Sequence, residues 1–303
     1  MVGKNEKRFK KTALYITNNL DHWFNHLFYG DELKQITPLK KYEIEAVEKI
    51  FFIFLNNGHS EEIDKRIQAF ASVYFATEYH RLLKHGIWAK RVNTLNKIIQ
   101  FRVPGFSGLY TRRKIMRLSR FEYFLYFTYL SIFDMTRFIE TFFMRKDLSE
   151  YEYKKIFNKL DDEQTGILRQ HFGKMSDTAR YSLIARTSYI PTKDSIIWLE
   201  SLLDSKEAEI RIRVLKAIKT IGMIYQKERY MNFKDSGTWE ERMLIMRLSP
   251  LVGREMIPLL VKGMDDANEW VKKASEESLG HFKTQLKSWS VPLDGGGYKD
   301  GVE

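Results

Sequence analysis

The chain has 303 residues, a formal net charge of +11, 44% hydrophobic and 29% charged residues, and no cysteine. The lack of Cys excludes disulfides, thiolate metal sites and thiol catalysis, while the apolar and charged fractions are ordinary for a globular chain. At this length a compact chain buries about 75% of the surface its unfolded form exposes, so core size is not limiting.

The first residues are basic, with Lys4, Lys7, Arg8, Lys10 and Lys11. No apolar run comes after them, so 1–12 reads as a basic segment and not as a signal peptide. Beyond it, apolar residues recur at three and four, the helical period. Ile44, Val47, Phe51 and Phe54/Leu55 form one stripe; Trp88, Val92, Leu95 and Ile99 form another. With only 6 Pro and 17 Gly, helix breaks are expected at Asn56-Asn57-Gly58, Val103-Pro104-Gly105 to Gly108, Gly173 to Asp177, and Ile190-Pro191. The fold class expected is all-α. Residues 13–175 read as a helical region of divergent repeats, 176–289 as clearer repeats, and 290–303, with Asp294-Gly295-Gly296-Gly297, as a flexible tail.

Between Arg81 and Arg120 there is no Asp or Glu, while Lys and Arg accumulate: Arg81, Lys84, Lys90, Arg91, Lys97, Arg102, then Arg112, Arg113, Lys114, Arg117 and Arg120. Average composition would place about five acids in such a stretch. Lys90 and Lys97 are expected opposite the apolar stripe that carries Trp88. Arg113, Arg117 and Arg120, spaced four and three, are expected to form one column on one helix. Such like charges repel by about 0.2–0.5 kcal/mol per pair, so local stability gives no reason for them. Lys90, Arg91, Lys97, Arg102, Arg112, Arg113, Lys114, Arg117 and Arg120 are the candidate site for an acidic partner. Neutralisation by acids from other helices is the competing reading. An acidic protein surface, anionic lipid head groups and nucleic acid all meet the charge requirement. Phe106 and Tyr110, beside Gly105 and Gly108, are the aromatics expected in an exposed loop, where bases could stack on them; Trp88 is expected in the core.

The apolar stretch Phe121 to Met144 reads as a buried helix. It carries Glu122, Asp134, Arg137 and Glu140, and a central Asp or Arg in a membrane span costs about 2.5–3.5 kcal/mol. His22 and His26 have the spacing of a metal-ligand pair, and Glu78, His80 and His85 lie near one another in sequence. His22 and His26 lack the intervening Glu of a zincin motif, and no metal is expected. Asp161-Asp162-Glu163 and Asp265-Asp266 sit at helix boundaries, where N-capping explains them. No cofactor and no small-molecule substrate are indicated, and no nucleophile elbow or phosphate loop is present.

The C-terminal third carries weak self-similarity. Ile197-Trp198-Leu199-Glu200-Ser201-Leu202-Leu203-Asp204 leads to Ile212-Arg213, Leu215, Ala217, Ile221 and Gly222. Ile257-Pro258-Leu259-Leu260-Val261 leads to Met264-Asp265-Asp266, then Trp270-Val271-Lys272, Ala274 and Leu279-Gly280. Gly222, Gly253 and Gly280 recur at about thirty residues, a period of stacked helical units. The pattern resembles HEAT repeats over 195–282, with Ser176 to Pro191 and Ile87 to Phe101 as looser second helices. That resemblance implies an α-solenoid presenting a long open face. Arg211, Arg213, Lys216, Lys219, Lys272 and Lys273 are expected to line one face of it. The function expected is a non-enzymatic scaffold or adaptor for a protein partner. It is expected in the cytoplasm, with docking at the membrane's inner leaflet as one form. The alternative is a nucleic-acid-binding protein. Some basic HEAT-like proteins resemble glycosylases for alkylated bases, and Trp198 with Glu200, or Trp239 with Glu240, would supply the aromatic and the acid.

Overall fold

The computed structural model describes residues 2–33, 40–58, 60–233 and 236–289, with side chains within 5–283. Among the described residues there are 17 α-helices and no strand. They form two compact units, Met1–Leu148 and Ser149–Glu303. The division falls earlier than the expected 175/176, because helix Glu150–Phe157 packs on helix Asp177–Thr187 and so belongs to the second unit.

The first unit holds α1 (Val2–Tyr29), α2 (Lys41–Asn57), α3 (Glu61–Tyr74), α4 (Ala76–His85), α5 (Trp88–Gln100), α6 (Arg112–Ile115), α7 (Arg120–Phe133) and α8 (Met135–Phe142). Polar side chains set its helix starts. Ser60 accepts from the Ile63 amide, and Ser119 and Glu122 form a reciprocal capping box; such a cap contributes about 1 kcal/mol. The apolar run 121–144 is two helices and not one. Asp134 ends α7 and its carboxylate accepts from the Arg137 amide to start α8. Among the described residues no helix is long and apolar enough to cross a membrane.

Aromatic rings fill this unit's interior. Trp23 of α1 meets Phe51 of α2 edge-on at 5.4 Å and Phe70 of α3 at 4.9 Å. Phe127 of α7 stacks on Phe138 of α8 at 4.2 Å. All are buried, and burying a large apolar side chain contributes roughly 1.5–3 kcal/mol. Against expectation, Phe106 and Tyr110 belong to this interior, each 3% exposed. The Phe106 amide donates to Tyr129 Oη at 3.0 Å, and the Tyr110 ring meets Tyr126 at 4.9 Å. The glycine-rich loop turns its aromatics inward because α7 offers an apolar wall. Trp88 shows the opposite outcome and is 51% exposed. It is the first residue of α5, and its indole N–H donates at 2.9 Å to Ser119 Oγ, the cap of α7.

The second unit holds α9 (Glu150–Phe157), α10 (Asp162–Gln170), α11 (Asp177–Thr187), α12 (Lys193–Ser201), α13 (Ala208–Ile221), α14 (Lys227–Met231), α15 (Trp239–Val252), α16 (Ile257–Gly263) and α17 (Glu269–Trp289). Its odd-numbered helices pack in series: α9 on α11, α11 on α13, α13 on α15, and α15 on α17. Of the intervening helices, α10 packs on α11, α12 on α11 and α13, and α16 on α15 and α17. One apolar cluster runs through them, including Leu199, Leu215, Ile218, Leu248, Leu260 and Val271. Asp161 caps α10 as expected, in a capping box with Gln164. Gly222 ends α13 at φ 73°, a left-handed conformation glycine adopts without steric cost. Gly253 ends α15, but Gly280 lies inside α17, so the third expected terminator is not one. A β-carbon on Gly263 would stand 2.2 Å from Ser275 Oγ, so this glycine allows α16 to approach α17. The expected tail lies outside the described residues.

Candidate anion-docking surface

Three cations of the acid-free stretch are committed internally, by acids that lie outside it. Arg81 donates twice to Glu78, at 2.7 and 2.6 Å, within α4. Lys97 Nζ stands 2.5 Å from Glu48 Oε2, on a carboxylate that also accepts from Tyr79 Oη at 2.8 Å. Arg91 donates from Nε to Glu122 Oε1 and from Nη1 to the Gly86 carbonyl, both at 2.7 Å. Glu122 is 1% exposed. Burial pushes its carboxyl up, but hydrogen bonds from Arg91 and Ser119 outweigh this and hold it below the usual carboxylate range. Burial and the adjoining Glu48 carboxylate drive the Tyr79 hydroxyl far above its ordinary value, so it stays a proton donor. Arg91 and Lys97 therefore leave the candidate set. Neutralisation by other helices is correct for these two.

The remaining cations behave differently. Thr111 Oγ1 accepts from the Lys114 amide and starts the single turn α6. Within 112–119, Ile115 and Leu118 are buried and anchor the segment. Arg145 Nη1 donates to the Leu118 carbonyl at 2.7 Å and fixes its far end. Arg112, Arg113, Lys114 and Arg117 are exposed and have no carboxylate within 4.0 Å among the described residues. Three of them fill a first turn that contains no acid, where the helix dipole disfavours positive charge. The expected column on one helix does not exist, because α6 ends at Ile115 and Ser119 opens a new helix with Arg120 at its start. Arg120 contributes to holding the Asp147 carboxyl low, after the larger effect of Arg145. Lys90 is exposed and forms no ion pair within 4.0 Å among the described residues, though Glu78 feels its charge. Arg102 is exposed, and its φ of 52° turns the chain at the end of α5. Nearby, α4 and the loop at Pro104 to Phe106 line an open cleft of about 570 Å³ that carries His80, Arg81, Lys84 and His85.

In the second unit half of the expected basic face is paired. Arg211 donates to Glu241 Oε1 and to the Ser205 carbonyl, both at 2.7 Å. Arg213 meets Glu209 at 2.6 Å and Glu150 at 2.9 Å, and lies 4.0 Å over the Tyr181 ring. Lys272 pairs with Glu269 at 2.8 Å. Lys216, Lys219 and Lys273 are not buried and form no ion pair among the described residues. Asp266 accepts two bonds from Arg242, at 2.8 and 3.0 Å, and one from the Asn268 amide. The Arg242 bond holds its carboxyl low against the effect of burial.

A recurrent clamp joins residues that the sequence pattern did not pair. Arg91–Glu122, Arg211–Glu241 and Arg242–Asp266 each join an arginine near a helix start to a carboxylate 31, 30 or 24 residues on. In each the same guanidinium also holds a carbonyl five or six residues back. The near-thirty spacing of the glycines was the signal that could have found it.

Some of the chemical candidates have partners within the fold. Glu200 is fully buried, and its Oε1 accepts from the Tyr225 and Gln226 amides and from Tyr230 Oη. Trp198 packs edge-on against Phe172 at 5.4 Å. His26 Nδ1 is 2.8 Å from the Asp31 carbonyl. Among the described residues no group of three or more His, Asp or Glu could hold a metal ion. No protein-family model and no curated protein matches the chain.

Proposed function

We propose that this chain is a non-enzymatic helical-repeat adaptor of HEAT-like architecture, with a basic surface at 112–117 that docks an acidic partner. The observation that carries the docking role is the set of four exposed cations, Arg112, Arg113, Lys114 and Arg117, without carboxylate partners among the described residues, on a segment pinned by Ile115 and Leu118. A surface held in place yet electrostatically unmatched is suited to capture an anion. The repeat reading is supported by the serial packing of α9, α11, α13, α15 and α17 and by the recurrence of the arginine clamp in both units. In a stacked array each unit buries its apolar face on its neighbours, leaving the outer face for partners.

The test is binding of the full chain to anionic vesicles and to duplex and single-stranded DNA over a series of salt concentrations. Arg112→Glu, Arg113→Glu and Arg117→Glu together are expected to abolish binding to whichever anion the wild type captures. A triple variant that binds every anionic surface as the wild type does would overturn the docking role. Tight, salt-sensitive binding to DNA alone would make nucleic acid the partner.

A further inference from the structure

The basic segment is bordered by apolar side chains that the fold does not cover. Ile87 is 67% exposed, Trp88 51%, Met116 55% and Phe121 44%. They form one neighbourhood. The Trp88 indole N–H donates to Ser119 Oγ at 2.9 Å, which sets the start of α5 against the turn between Met116 and Phe121. The Arg91–Glu122 clamp locks the same two helix starts together. Lys90, Arg112, Arg113, Lys114 and Arg117, all exposed, lie within a few residues of these side chains along the chain, and 81–120 contributes no acid.

We propose that this patch docks on an anionic phospholipid bilayer, with Ile87, Trp88, Met116 and Phe121 entering the boundary between head groups and acyl chains. The inference rests on the anion-docking reading above and names the partner. A polyanion in water would satisfy the cations and leave Ile87 and Met116 wet, since neither side chain stacks on a base. A bilayer surface offers both phases at once. Its phosphates meet the guanidinium and ammonium groups, whose aliphatic stems extend along the interface. Its outer acyl region takes the aliphatic side chains, and a tryptophan with one polar edge is favoured at that depth. Docking of this kind is peripheral and needs no spanning helix.

The experiment is co-flotation of the full chain with vesicles of phosphatidylcholine alone and of equal parts phosphatidylcholine and phosphatidylglycerol, with duplex DNA as a soluble polyanion. The wild type is expected to bind only the anionic vesicles among the two. Arg113→Gln with Arg117→Gln is expected to weaken that binding about 30-fold. Ile87→Ser with Met116→Ser, at exposed positions, is expected to weaken it about tenfold while leaving any DNA binding unchanged. Brominated lipid is expected to quench an emission component present in the wild type and missing in Trp88→Phe. If the Ile87/Met116 variant binds vesicles as the wild type does and no Trp88 component is quenched, insertion is overturned and the anion-docking reading stands. If the Arg113/Arg117 variant binds every anion unchanged, the docking reading itself is overturned.

Discussion

The starts of α5 and α13 are built alike and surrounded differently. In each an arginine, Arg91 or Arg211, holds a buried glutamate thirty or so residues on and a carbonyl just behind it. Around Arg211 the neighbouring arginines are also matched: Arg180 with Asp177 and Glu207, Arg213 with Glu209 and Glu150, Arg242 with Asp266. From Arg112 to Arg117 there is no such matching, and Arg112, Arg113, Lys114 and Arg117 face solvent with no acid within 4.0 Å among the described residues. Charge paired within the fold and charge without a carboxylate partner thus occur within one short stretch. What separates them is pairing in space.

The strongest way to break the comparison is to cut the clamps. Glu122→Ala and Glu241→Ala each leave a partly buried guanidinium without its carboxylate, and each is expected to destabilise its own unit by about 3 kcal/mol in urea unfolding. A large loss in one and none in the other would show that the two clamps are not equivalent. Glu200 sharpens the point that a buried carboxylate need not act through its charge. Its three hydrogen bonds all fall on one oxygen. Glu200→Ala is therefore expected to cost about 2 kcal/mol, and Glu200→Gln, which keeps a carbonyl acceptor, much less. Equal losses would mean that the charge itself is required.

Acid should weaken both units. The carboxyls of Glu122 and Asp266 are held below their ordinary values of 4.5 and 3.8. A depressed carboxyl stabilises the fold fully above its unfolded value, and that stability is lost as pH falls through the folded one. Unfolding midpoints measured from pH 6 downward are expected to drop below about pH 4.5, and Asp266→Asn should remove part of that dependence. Gly222→Ala, at φ 73°, is expected to cost about 1 kcal/mol by forcing a side chain into the left-handed region. The smallest effect is expected from Arg113→Gln with Arg117→Gln. Thermal stability should stay within about 0.5 kcal/mol of the wild type, because both side chains are exposed and neither forms an ion pair among the described residues. A large destabilisation there would show that these arginines are structural after all.

Much of the helical outline was readable because it obeys local rules. The break at Asn57–Gly58, the loop opened by Val103-Pro104-Gly105 and the Asp161 cap depend on residues within a few positions of one another. The candidate site was only half readable. An acid-free run marked the right segment, yet Arg91 and Lys97 find their acids 31 and 49 residues away, a distance that composition does not register. Trp88 and Phe106 exchanged their expected places for the same reason. Helical periodicity gives the face a residue occupies, and only packing decides whether that face is covered at that turn.

The sequence by itself determined a helical fold class, several of the places where helices stop, and an excess of positive charge concentrated between 81 and 120. Tertiary structure alone decided which of those charges are internal braces and which stand free beside Trp88 and Met116. The reason is range: caps and periodicity act over one or two turns, whereas a salt bridge or a covering helix joins residues that only packing brings together.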